Sequence, residues 1–164
     1  MAMDYPEKKP VKITDPDIAY AKAQSYCAYQ ERCQQEVRDK LYSWGLWPDA
    51  VENIIARLIT ENYINEERFA RAFAGGKFRI KKWGRVKIRL ELRKRKISEY
   101  CIRQAMKEID GAGYLAAMKK ILTESGRKYK GLPKEARKRR IAAYLISRGY
   151  ESDLVWELIG SQES

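Results

Sequence analysis

Between Lys77 and Lys96 stand eleven basic residues and one acid, Glu91, a local charge of +10. Between Arg127 and Arg148 stand nine basic residues and one acid, Glu135, a local charge of +8. The whole chain carries +12, so the remainder is net acidic. Positive charge gathered in this way suits contact with a polyanion or with an acidic protein surface. In the first block, Arg85, Arg89, Arg93 and Lys96 fall within a helical sector about 80° wide, beside the apolar pair Ile88/Leu92. Arg79, Lys81 and Lys82 lead into this ridge. In the second block, Lys134, Arg137, Lys138, Arg139 and Arg140 open a helix. Cations there oppose the helix dipole at a cost of roughly 0.3–1 kcal/mol, which stability alone does not favour. The plain alternative is a solvated helix face. Two blocks at equivalent places in successive units favour contact.

Nearby Phe78 and Trp83 are candidates for stacking on bases, as are Tyr114 and Tyr129; packing between helices competes for each of them. Val86 and Leu90 lie opposite Ile88/Leu92, outside any one-sided apolar stripe. They are candidates for packing on a neighbouring unit or for meeting a partner.

What is missing restricts other chemistry. The chain has no histidine, which removes Ser-His-Asp and Cys-His catalysis, imidazole metal sites and a histidine pH switch. Cys27, Cys33 and Cys101 form no Cys-x-x-Cys pair and read as reduced thiols in or beside the core. Gly75-Gly76-Lys77 and Gly111-Ala112-Gly113 lack the spacing of nucleotide-binding loops. The carboxylates are scattered over helix surfaces. No enzyme, cofactor or metal is expected. With no apolar run near the ~18–20 residues of a membrane span and no signal core, a cytoplasmic protein without a membrane partner is expected.

The elements that must position the basic blocks are helices. Of 164 residues, 45% are hydrophobic and 34% charged, enough apolar content for a core. From Asp15-Pro16 to about Ile159 the apolar spacing is helical. It also repeats. Leu41, Leu92 and Leu145 are preceded four residues earlier by Val37, Ile88 and Ile141. They are followed five later by Leu46, Ile97 and Tyr150, ten later by Val51, Ile102 and Val155, and fourteen later by Ile55, Met106 and Ile159. Each copy thus holds two short amphipathic helices around a turn, behind one longer helix. Gly45 and Gly149 stand where a left-handed cap is wanted, and Lys96 takes that place in the middle copy.

The expected fold is all-α, three tandem three-helix repeats in an elongated array that is open to curvature. The expected divisions are a flexible tail over 1–14, repeats over 15–63, 64–109 and 110–160, and a tail over 161–164. Short docking interfaces are expected to let the units flex, and the chain is expected to be a monomer.

These residues resemble a known family. Asn62-Tyr63-Ile64-Asn65-Glu66-Glu67-Arg68-Phe69-Ala70 looks like the signature joining the first two repeats of RecX proteins. The run from Trp83-Gly84-Arg85 to Lys96-Ile97 resembles that family's basic second-repeat segment. Arg38-Asp39-Lys40-Leu41 with Gly45 resembles the first-repeat motif, and Arg148-Gly149-Tyr150 the third. The match runs from about Ala19 to Ile159. Cys33 departs from a common capping serine and Lys96 from a common turn glycine, which bears on local geometry more than on function. The resemblance implies tandem three-helix repeats and regulation of the RecA recombinase by contact with its filament on DNA. It implies inhibition of filament extension, ATPase and strand exchange. A general DNA-binding helical protein and a protein–protein adaptor are the alternatives. Few side chains on the basic helix can read bases, so single- or double-stranded DNA would be held by phosphates rather than by sequence.

Overall fold

The computed structural model describes residues 12–162, which form nine α-helices and no strand. They run α1 (Pro16–Tyr29), α2 (Gln34–Ser43), α3 (Pro48–Thr60), α4 (Glu66–Lys81), α5 (Arg85–Lys94), α6 (Glu99–Met106), α7 (Gly111–Lys128), α8 (Lys134–Ser147) and α9 (Ser152–Ser161). The helices pack as three consecutive units, α1–α3, α4–α6 and α7–α9.

Local chemistry places the ends. Asp15, Asn65, Ser98 and Asp110 each accept a hydrogen bond from a first-turn N–H, satisfying donors the helix itself leaves open. Pro48 occupies the first turn of α3, where its missing N–H costs nothing. After each anchor leucine the chain enters the left-handed region, at Gly45 (φ +96°), Lys96 (φ +58°) and Gly149 (φ +99°). The same bond closes all three turns, Leu46 N to Leu41 O at 3.4 Å, Ile97 N to Leu92 O at 3.2 Å and Tyr150 N to Leu145 O at 3.2 Å. The repeat therefore extends to individual backbone bonds. A side chain in this region is strained by roughly 1–2 kcal/mol. Lys96→Gly is expected to raise the free energy of unfolding in urea by about 1 kcal/mol, part of the relief being offset by a looser unfolded chain.

The anchors Leu41, Leu92 and Leu145 are fully buried, as are Val37, Ile88, Val51 and Val155. The core is not divided into three. Unit one has its own, built on Ala19, Val37, Leu41, Val51, Ile54 and Leu58, while the buried side chains of units two and three form one continuous cluster. Two residues cross the first junction. Cys33, at the start of α2, belongs to the second cluster, and Ile64, just before α4, belongs to the first.

Of the two expected tails, residues 1–11 and 163–164 lie outside the described residues. The inner ends are ordered, a correction to both. Ile13 is buried against unit one and its N–H donates to the Trp44 carbonyl at 2.8 Å. Helix α9 continues through Ser161.

No two of the cysteines are bonded; Cys27 and Cys33 are buried and Cys101 is half-buried. Cys33 caps α2 without a side-chain bond to the backbone, and its thiol donates instead to Glu36 at 3.3 Å. Burial pushes the Cys27 thiol up to about 11 and the Cys33 thiol up to about 12. Thiolate is the reactive form, and at pH 8 it is scarce at both. A thiol reagent at pH 8 is expected to label Cys101 first, with Cys27 and Cys33 reacting only at the rate of unfolding. Mass spectrometry of the labelled protein measures the order.

Candidate cationic interface

Helix α5 carries the centre of the first basic block. Arg79 and Lys81 lie in the last turn of α4, and Lys82 is its left-handed cap, at φ +58°. Positive charge there complements the helix dipole. Arg85, Arg89 and Arg93 lie on α5, and Lys96 occupies the turn after it. The structure divides this set by what each residue already touches. Arg85 is drawn away from solvent, its Nη1 3.0 Å from Glu151 and its guanidinium 3.9 Å above the Tyr114 ring. Arg93 makes a two-pronged bond to Glu99, at 2.9 and 3.3 Å, on exposed surface. Such a pair is worth little and yields to a better anion. Among the described residues Arg79, Lys81, Lys82, Arg89 and Lys96 make no ion pair. Burial lowers the Lys77 ammonium from its ordinary value, with neighbouring Lys81 and Arg95 adding to the effect.

The second block occupies the opening turns of α8. Pro133 precedes it with no side chain to cap the helix. Lys134, Arg139 and Arg140 are exposed and Arg137 half-buried, while Lys138 reaches Glu135 at 3.4 Å.

Both aromatic candidates are engaged. The Phe78 ring lies 5.8 Å from that of Tyr114, and Trp83 meets Phe73 edge-on at 6.3 Å. Lys87 and Lys77 stand over the Trp83 ring at 4.5 and 5.0 Å. The two side chains pack on the shared core of units two and three. Of the two readings open to them, stacking on bases and packing between helices, the structure shows the packing. Tyr114 is buried and Tyr129 packs on the same core. Val86 and Leu90 do the opposite; they remain 49% and 50% exposed.

The junction that holds α5 has no counterpart in the sequence reading. The Gly84 N–H donates to the Arg148 carbonyl at 2.8 Å and the Val86 N–H to the Gly149 carbonyl at 2.9 Å. The Arg85 N–H donates to the Tyr114 hydroxyl at 3.0 Å, and that hydroxyl donates to Glu151. Tyr150 donates to the Lys82 carbonyl at 2.9 Å, and Arg148 to that of Lys81. The open donors of α5 are thus capped by the carbonyls that end α8, so the two helix dipoles meet head to tail. A Cβ at Gly84 would lie 2.3 Å from the Gly149 carbonyl group, and one at Gly149 would lie 2.3 Å from the Lys87 Cβ. Only glycine permits this approach. At the junction of units one and two, side chains do the work. Arg68 binds Glu31, Glu66 accepts from the Gln34 N–H at 3.3 Å, and Arg95 stands 4.0 Å from Glu36.

Models described as the first, second and third three-helix domains of RecX match residues 19–58, 65–106 and 115–159. The chain belongs to the RecX family. A regulatory protein RecX of Prosthecochloris aestuarii is 30% identical over 144 residues, covering 87% of this chain and 91% of that protein. One from Pseudomonas savastanoi pv. phaseolicola is 29% identical over 93% of this chain and 97% of its own length. One from Streptococcus uberis is 30% identical over 83% of this chain, which spans only 52% of that longer protein. Among solved structures, RecX from Lactobacillus salivarius has a TM-score of 0.78 at 22% identity, covering 90% of this chain and 95% of that one. A second RecX crystal structure has a TM-score of 0.80 at 24% identity, covering 89% and 71%. These two establish the fold. This RecX-family chain holds no group of three or more metal-ligating side chains among its described residues, and no helix long and apolar enough to cross a membrane.

Proposed function

We propose that the chain is a non-enzymatic, cytoplasmic regulator of the RecA recombinase, acting as a monomer that binds the RecA filament and its DNA. It inhibits filament extension and, with it, ATPase and strand exchange. The observation that carries this reading is the end-to-end match to all three RecX domains, joined to cationic surface on α5 and α8. On this reading the chain acts by occupying surface. Units two and three are bonded backbone to backbone, so their two basic blocks present themselves to a filament in a fixed relation. Phosphate contact supplies affinity without sequence preference.

Growth of RecA filaments on single-stranded DNA, followed by length in an electron microscope, tests the reading. Substoichiometric protein is expected to leave filaments short. Unchanged lengths with DNA binding retained identify a general DNA-binding protein. Unchanged lengths without DNA binding identify an adaptor. Removing Arg137, Arg139 and Arg140 together is expected to weaken DNA binding evenly across sequences. The salt slope should fall by about 0.7–0.9 for each phosphate that is no longer neutralised. An unchanged slope in the folded variant excludes α8 from the DNA surface.

A further inference from the structure

Helix α5 turns Ile88 and Leu92 to the core. At about 100° per residue, Leu90 stands about 180° from the middle of that pair, and Val86 about 140°. The residue farthest from the core is therefore aliphatic, and Val86 lies beside it one helical turn away, as far round the helix as Lys94 on the other side; both aliphatic residues are half-exposed. Arg89 and Arg93 flank them on one side, Lys87 and Lys94 on the other. Arg93 pairs with exposed Glu99, Lys94 shares half-buried Glu91 with Arg95, Lys87 stands over the Trp83 ring, and Arg89 has no ion pair among the described residues.

A helix shaped for a phosphate backbone carries its cations at the apex, where contact is made first. Here the apex is greasy and the cations form two edges. The minor groove, about 6 Å wide, does not admit a helix about 10–12 Å across. The major groove admits one but offers aliphatic groups little beyond thymine methyls. A protein surface satisfies both features at once. An apolar recess buries Val86 and Leu90, and carboxylates on its rim meet the two cationic edges. Exclusion of water by the aliphatic strip then strengthens the flanking ion pairs.

We infer that the outer face of α5 docks on an acidic surface of the recombinase, with Val86 and Leu90 seated in an apolar recess between its carboxylates. The inference rests on the proposed function and assigns α5 to protein. The arginines of α8 then serve DNA.

The test compares Val86→Ala/Leu90→Ala with the unaltered protein in binding to RecA filaments on single-stranded DNA and to the same DNA alone. Alanine keeps α5 helical, which circular dichroism checks, and Leu90→Gln provides a second variant that retains Val86. Filament affinity is expected to fall at least tenfold in the double variant, with affinity for naked DNA within twofold of the original. Arg89→Gln/Lys94→Gln is expected to lower filament affinity by a larger factor than affinity for naked DNA. Unchanged filament affinity in the folded variants overturns the inference and leaves RecA regulation standing. Parallel loss of both affinities also overturns it, in favour of an aliphatic wedge in DNA. Failure of the unaltered protein to bind filaments overturns the functional reading and this one together.

Discussion

Gly84→Ala is expected to loosen the junction between units two and three. A Cβ cannot sit 2.3 Å from the Gly149 carbonyl group, so α5 must withdraw from the turn between α8 and α9. Withdrawal breaks the bonds from Gly84 to Arg148 and from Val86 to Gly149 and leaves the N-terminal donors of α5 uncapped. With each bond worth about 0.5–1.5 kcal/mol and strain added, the destabilisation is roughly 2–3 kcal/mol. Denaturation in urea measures it. Hydrogen exchange should report faster exchange at Val86 and at the start of α5, while unit one is unaffected. Arg85→Ala acts at the same place by a different route. It removes the interactions with Glu151 and Tyr114 without a clash, and its cost is smaller.

The second expectation concerns the division of the core. Leu41→Ala and Leu92→Ala make the same chemical change at equivalent, fully buried positions. Each should cost about 2–5 kcal/mol. The consequences spread differently. Leu41 lies in the core of unit one alone, and Leu92 in the cluster that units two and three share. Leu41→Ala is therefore expected to accelerate exchange across α1–α3 only. Leu92→Ala should accelerate it from α4 through α9. Equal spread from both variants would mean that the three units unfold as one.

The helices and the repeat were legible because they depend on residues close in the chain. Val37/Leu41, Ile88/Leu92 and Ile141/Leu145 announce their stripes by spacing, and Asp15, Asn65, Ser98 and Asp110 cap the helices they precede. Lys96 was readable as a strained turn only by comparison with Gly45 and Gly149. What docks against what was not legible. Gly84 reads as a helix opening and Gly149 as a cap, and neither reading reveals that the two backbones touch. A glycine at the entry to α5, where Cys33 stands in unit one, was the available hint. The cationic ridge was only partly legible for the same reason. Angular spacing groups Arg85 with Arg89, yet Glu151 and Tyr114 arrive from another unit and take Arg85 out of the group. Phe78 and Trp83 were claimed by packing in the same way. Val86 and Leu90 were legible as outliers because no docking changed their exposure.

Regulation of RecA by surface contact is tested most directly through the recombinase's own activity. RecA ATPase on single-stranded DNA should be titrated with the protein at several salt concentrations. Hydrolysis is expected to fall at low molar ratios of protein to RecA. The protein needed for half-inhibition should rise with salt as phosphate contacts weaken. RecA hydrolysis unchanged at every salt concentration, with the protein shown to be folded, would contradict regulation by this chain.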